Sequence, residues 1–99
     1  MARSTGYHEH LIESLKDPEE AAGYLNAALA DGDSRVFLAA LRNVAEAHGG
    51  MSKLARESRL NPESLYRALS KRGNPGIQTL EALLSSLGFR LMVERKDAA

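Results

Sequence analysis

The side chains best suited to chemistry crowd the stretch from Met51 to Asn74. Lys53, Arg56, Arg59, Arg67, Lys71 and Arg72 are opposed in Met51 to Arg72 only by Glu57 and Glu63. Clustered cations of this kind suit a polyanion, above all double-stranded DNA. Arg67 can offer two parallel donors to a guanine edge, and Asn61, Glu63 and Ser64 join it as candidates for base or phosphate contact. Lys53, Arg56, Lys71, Arg72 and the backbone at Gly73 and Asn74 suit phosphate oxygens, which set position and not sequence. Ser52 and Asn74 complete the candidate DNA-binding set. Glu63 works against tight binding, because a carboxylate near phosphate is repelled unless it accepts from a cytosine amine or pairs with Arg67 four residues later. Tyr66 can stack or contact phosphate, but its expected place is against the preceding helix.

Other chemistry has weaker support. His8 and His10 form a His-x-His pair without an evident third ligand, so no metal site is assigned. His48 falls at the C-terminal end of its helix, where a partly charged imidazole favours the dipole. The absence of cysteine excludes disulfides and thiolate metal sites. Nothing resembles a nucleophile elbow, a phosphate loop, a zinc-protease or a kinase motif, and the carboxylates fall on capping positions and solvent faces. The expectation is a protein that is not an enzyme and needs no cofactor.

Three short helices must position these residues. Leu54 and Ala55 open the first, Leu60 follows a turn, Leu65 and Leu69 stand one helical turn apart on the second, and Leu80, Leu83, Leu84 and Leu87 stripe the third. Asn61 can cap the second helix with Pro62 in its first position, and Gly88 suits the left-handed residue that follows a helix. The join between the first two helices is so short that they must meet steeply, which is the outline of a helix-turn-helix. The second would be the recognition helix, from Pro62 to Ser70 or Lys71.

Leu54, Ala55, Leu60, Leu65, Gly73, Pro75, Thr79, Leu80, Leu83, Leu87 and Gly88 resemble the helix-turn-helix of the Cro and lambda repressor-like (Xre) superfamily. More narrowly, LYRALSKRGNPGIQTLEALLSSLGFRL is similar to the small addiction module antidote proteins, HigA-like antitoxins encoded beside a toxin similar to the RelE and HigB ribonucleases. The likeness extends from about Tyr24 to Val93 and is most specific from Leu65 to Pro75. It implies binding to the protein's own promoter and neutralisation of a cognate toxin. The sequence departs from the pattern at Arg59, where many relatives have the turn glycine, and at Met51, where many have a glutamine that braces the DNA backbone. A left-handed Arg59 would cost roughly 1 to 2 kcal/mol that glycine avoids.

The remaining chain reads as more helix. Its 99 residues suit one core. Leu11, Ile12 and Leu15 mark a short helix over 8–16, behind a polar Met1–Thr5 expected to fray. Asp17, Pro18 and Glu20 start a second, with Ala21, Leu25, Ala28 and Leu29 on one side and Asp31-Gly32 as its stop. Asp33 or Ser34 caps a third, striped by Phe37, Ala40, Leu41, Val44 and Ala45 up to Gly49-Gly50. After Gly88, the alternation of Phe89, Leu91 and Val93 with Arg90, Met92 and Glu94 predicts a short strand, which must pair with its copy in a second subunit or with a partner's edge. The expected fold is therefore all-α: a five-helix lambda repressor-like DNA-binding domain over 18–88, an extra N-terminal helix within 1–17, and a C-terminal β-strand and loose tail over 89–99. Leu11, Leu15, Phe89, Leu91 and Val93 are the expected dimer or partner contacts.

The formal net charge of zero conceals a division. Residues 1–50 carry four basic and eight acidic side chains, net −4, and residues 51–99 carry +4. No membrane span or secretory signal is evident, so the expected location is cytoplasmic. Function is expected to be that of a DNA-binding antitoxin: a homodimer whose two recognition helices read half-sites about one DNA turn apart, and whose acidic half meets a basic RelE/HigB-like toxin. The alternatives are a toxin-neutralising module with little DNA binding and a solitary transcription regulator.

Overall fold

The computed structural model describes residues 2–97, with side chains from Gly6 onward. These residues form six helices: α1 (Ala2–Ser14), α2 (Pro18–Asp31), α3 (Ser34–Ala47), α4 (Met51–Ser58), α5 (Pro62–Ala68) and α6 (Ile77–Ser86). The all-α class holds. α1 begins earlier than the expected 8–16, so Ala2–Thr5 belong to the helix, while Met1, Ala98 and Ala99 of the expected frayed ends lie outside the described residues.

Capping sets several boundaries. Asp17 Oδ1 accepts from the Glu19 N–H at 3.0 Å and Asp33 Oδ1 from the Arg35 N–H at 2.9 Å, opening α2 and α3. Both carboxylates satisfy amide groups that the first helical turn leaves free and meet the positive end of the helix dipole. α3 is the centre of the assembly, since α1, α2 and α4 all pack on it, and α4 in turn carries α5 and α6. Its Phe37, Leu38, Ala40, Leu41, Val44 and Ala45 are buried with Leu25, Leu54, Leu65, Leu69, Leu83 and others in one apolar cluster. The Asn43 amide donates to the Tyr24 hydroxyl at 2.8 Å between α3 and α2, and the His48 ring lies 3.2 Å from the Leu15 carbonyl, tying the end of α3 to the α1–α2 join.

Two apolar residues fall differently from expectation. Leu15, expected at a partner contact, is 1% exposed in the core, because the chain turns there between α1 and α2 and inserts it against α3. Leu29, expected in the core with Leu25 and Ala28, is 51% exposed near the end of α2. The expected strand from Phe89 is not formed: residues 89–95 have no regular structure, and among the described residues there is no second strand to complete a ladder.

Candidate nucleic-acid interface

α4 and α5 are joined by residues 59–61, and the join is a compact helix stop followed at once by a helix start. The Arg59 N–H donates to the Arg56 carbonyl at 3.3 Å and the Leu60 N–H to the Ala55 carbonyl at 3.0 Å, the paired bonds of a Schellman turn. Arg59 holds the left-handed position at φ 62°, alone among the described residues other than glycine. The departure from glycine therefore does not reshape the turn: it keeps the left-handed conformation, with arginine bearing the backbone strain. Leu60 then folds inward against the core, and Asn61 Oδ1 accepts from the Glu63 and Ser64 N–H groups at 2.8 and 3.3 Å.

That cap limits what Asn61 can do. With its carbonyl oxygen committed to the helix, only its amide hydrogens remain, enough for a phosphate or an acceptor on a base but not for the donor-and-acceptor pair that reads adenine. Leu65, at 0% exposure, and Leu69 fix the inner side of α5, leaving Glu63, Ser64, Tyr66 and Arg67 on its outer side. Tyr66 is 57% exposed and not buried against α4 as expected, since one residue beyond Leu65 the helix has turned by about 100° away from the core. It therefore joins the candidate contacts. The Leu65/Leu69 spacing was the signal that could have placed it.

α5 is shorter than the expected recognition helix. It ends at Ala68, where the Arg42 guanidinium from α3 donates to the Leu69 carbonyl. Gly73 also returns so close to the helix end that a Cβ there would lie 2.0 Å from the Ala68 carbonyl oxygen. Lys71 and Arg72 consequently stand in the turn beyond α5, and Asn74 follows them, exposed. Arg42 belongs by sequence to the acidic half, and nothing local reveals that it reaches 27 positions along the chain to the end of this helix.

On α4, Ser52, Lys53 and Arg56 are exposed while Leu54 and Ala55 are buried, and Met51 is half-buried against the core. Lys53, Arg56, Arg59, Arg67, Lys71 and Arg72 are all exposed, and among the described residues none takes part in an ion pair or a side-chain hydrogen bond. Glu63 likewise has no ion pair to Arg67. The result is a surface of uncompensated positive charge built around a helix, a three-residue turn and a second helix. His8, by contrast, places Nε2 3.1 Å from Glu46, joining α1 to α3.

The family model for "Probable addiction module antidote protein" matches residues 8–95, which covers the interface and most of the chain. The chain belongs to this antidote family. It is also 35% identical over 89 residues to an uncharacterised protein of Haemophilus influenzae, across 90% of this chain and 91% of that one. No solved structure shows significant similarity to it. The family match spans both the acidic helices α1–α3 and the basic α4–α6, so the antidote family is defined over the two together. No helix among the described residues is long and apolar enough to cross a membrane.

Proposed function

We propose that the protein is the antitoxin of a type II toxin-antitoxin module, a homodimeric autorepressor in which α4–turn–α5 is a DNA-reading helix-turn-helix. The observation that carries the reading is the set of six exposed cations on and beside α4 and α5, unpaired among the described residues, in a member of an antidote family. Arg67, with Tyr66 and Ser64 beside it, reads bases from α5; Lys53, Arg56, Lys71 and Arg72 take phosphates; Asn61 and Asn74 donate amide hydrogens. The decisive experiment is a gel-shift titration against DNA upstream of the gene, at two salt concentrations, with wild type and the Arg67→Ala, Lys71→Ala double variant. Wild type should prefer that DNA to unrelated duplex, with affinity falling by about 0.9 log units per phosphate contact for each log unit of salt. Equal retention by the double variant would remove α5 and its C-terminal turn as the reading surface.

The antitoxin's other partner is a RelE/HigB-like ribonuclease toxin. Glu9, Glu13, Glu19 and Glu20 are all exposed on α1 and the first turn of α2, and Glu19 and Glu20 line a groove of about 300 Å³ together with Leu11. Opposite fields speed the encounter with a basic toxin. Reversing these four glutamates to lysine should slow association at low salt, and unchanged kinetics would detach the toxin from this face. One observation favours the reading in which toxin binding is the main function: Glu63 stands unpaired on the outer side of α5, where it repels phosphate. In that case wild type fails to shift the upstream DNA while still neutralising toxin.

A further inference from the structure

The chain leaves α6 through a left-handed Gly88, and the Phe89 N–H donates to the Leu84 carbonyl at 2.7 Å. Beyond it, among the described residues, no backbone group of Arg90–Glu94 makes a backbone hydrogen bond. Phe89 is anchored half-buried on the core, but exposure climbs along the segment, from 36% at Leu91 to 75% at Met92 and 98% at Val93. Phe89, Arg90, Leu91, Met92 and Glu94 border a groove of about 550 Å³ whose far wall includes the exposed Leu29 of α2. An apolar segment with its amide and carbonyl groups open is a template for another strand.

The charges in the segment select which strand. Reversed about Met92, the sequence is complementary to itself: Arg90 meets Glu94 of the second copy, Leu91 meets Val93, Met92 meets Met92, and each pair occurs twice about the axis except the central one. A parallel, in-register pairing would instead oppose Arg90 to Arg90 and Glu94 to Glu94. We infer that two copies of this chain pair antiparallel through Arg90–Glu94, about a two-fold axis at Met92, with Leu91 and the second copy's Val93 covering Leu29. This is an isologous interface, the same patch on both subunits. It deepens the homodimer of the proposed function and rests on it, supplying the two-fold axis about which two recognition helices would be arranged.

The test is sedimentation equilibrium of wild type, Arg90→Glu, Glu94→Arg, their equimolar mixture, and the double variant carrying both changes. Both residues are exposed, so the helical circular dichroism spectrum should be unchanged. Each single variant turns two attractive cross-strand pairs into two repulsive ones and should dimerise about tenfold more weakly or worse. The mixture and the double variant restore opposite charges at every position and should recover wild-type dimerisation. A monomeric wild type, single variants that dimerise as well as wild type, or a mixture no better than its components would each overturn the interface. A gel shift on the same samples separates this from the wider reading: promoter binding by a monomeric wild type would remove the strand pairing alone, whereas a dimer that ignores the promoter would remove DNA reading alone.

Discussion

The cations of the N-terminal helices and those of the helix-turn-helix are the same residue types in opposite circumstances. Lys16 pairs with Glu13 at 3.0 Å, Arg35 with Asp33 at 3.0 Å, and Arg42 donates to the Leu69 carbonyl, so every lysine and arginine whose side chain is described before Gly50 is engaged within the chain. Among the described residues, none of the six from Lys53 to Arg72 has such a partner. The exposed pairs contribute little to stability, but the half-buried Arg42 satisfies a carbonyl at the end of α5. In one half charge therefore supports the fold, and in the other it is left facing outward, where only a polyanion or an acidic partner can compensate it.

The largest effect expected from breaking this contrast is on binding. Replacing Lys53, Arg56, Lys71 and Arg72 together with alanine should reduce the salt slope of DNA affinity by up to about 3.6, at 0.9 per phosphate contact. The urea midpoint should hardly move, because none of the four supports the fold. Gly73→Ala should do the opposite, destabilising by about 3 kcal/mol in chemical denaturation, since its Cβ would meet backbone and not a flexible side chain. Arg42→Met keeps much of the side-chain volume but leaves the Leu69 carbonyl without its charged donor, and a loss of about 2 kcal/mol is expected, with faster amide exchange at the end of α5. Arg59→Gly should raise stability by up to about 1 kcal/mol by relieving the left-handed backbone, while removing one cation from the interface. A melting temperature that falls on this change would show that the Arg59 side chain supports the turn.

The smallest effect concerns pH in the acidic half. The Arg35 side chain, and then its backbone N–H, hold the Asp33 carboxyl below its ordinary value of 3.8. A carboxyl depressed in the folded state contributes stability above its unfolded value and loses that contribution as pH falls through the folded one. Asp33→Asn should therefore lower the denaturation midpoint slightly at about pH 5, and the difference from wild type should vanish towards about pH 2.

Much of this arrangement is local and could be read directly. Asp17, Asp33 and Asn61 cap the helices they precede because each needs only the amides two or three positions ahead, and the Leu65/Leu69 spacing gives α5 its inner side. Tyr66 follows Leu65 by one position and so falls outside that side, its aromatic character notwithstanding. The alternation from Phe89 reads as a strand pattern, but the backbone groups of a strand can be satisfied only across a second segment, which no described part of the chain supplies.

The sequence by itself determined the helices, their caps and the division of charge, since propensity, capping and composition act over a few residues. The tertiary structure alone decided that Arg42 meets the carbonyl at the end of α5, that Leu15 is core while Leu29 is surface, and that among the described residues the cations of α4 and α5 are left without partners. Those outcomes depend on which helices meet across tens of residues, and no local pattern encodes the distance between two side chains that only packing brings together.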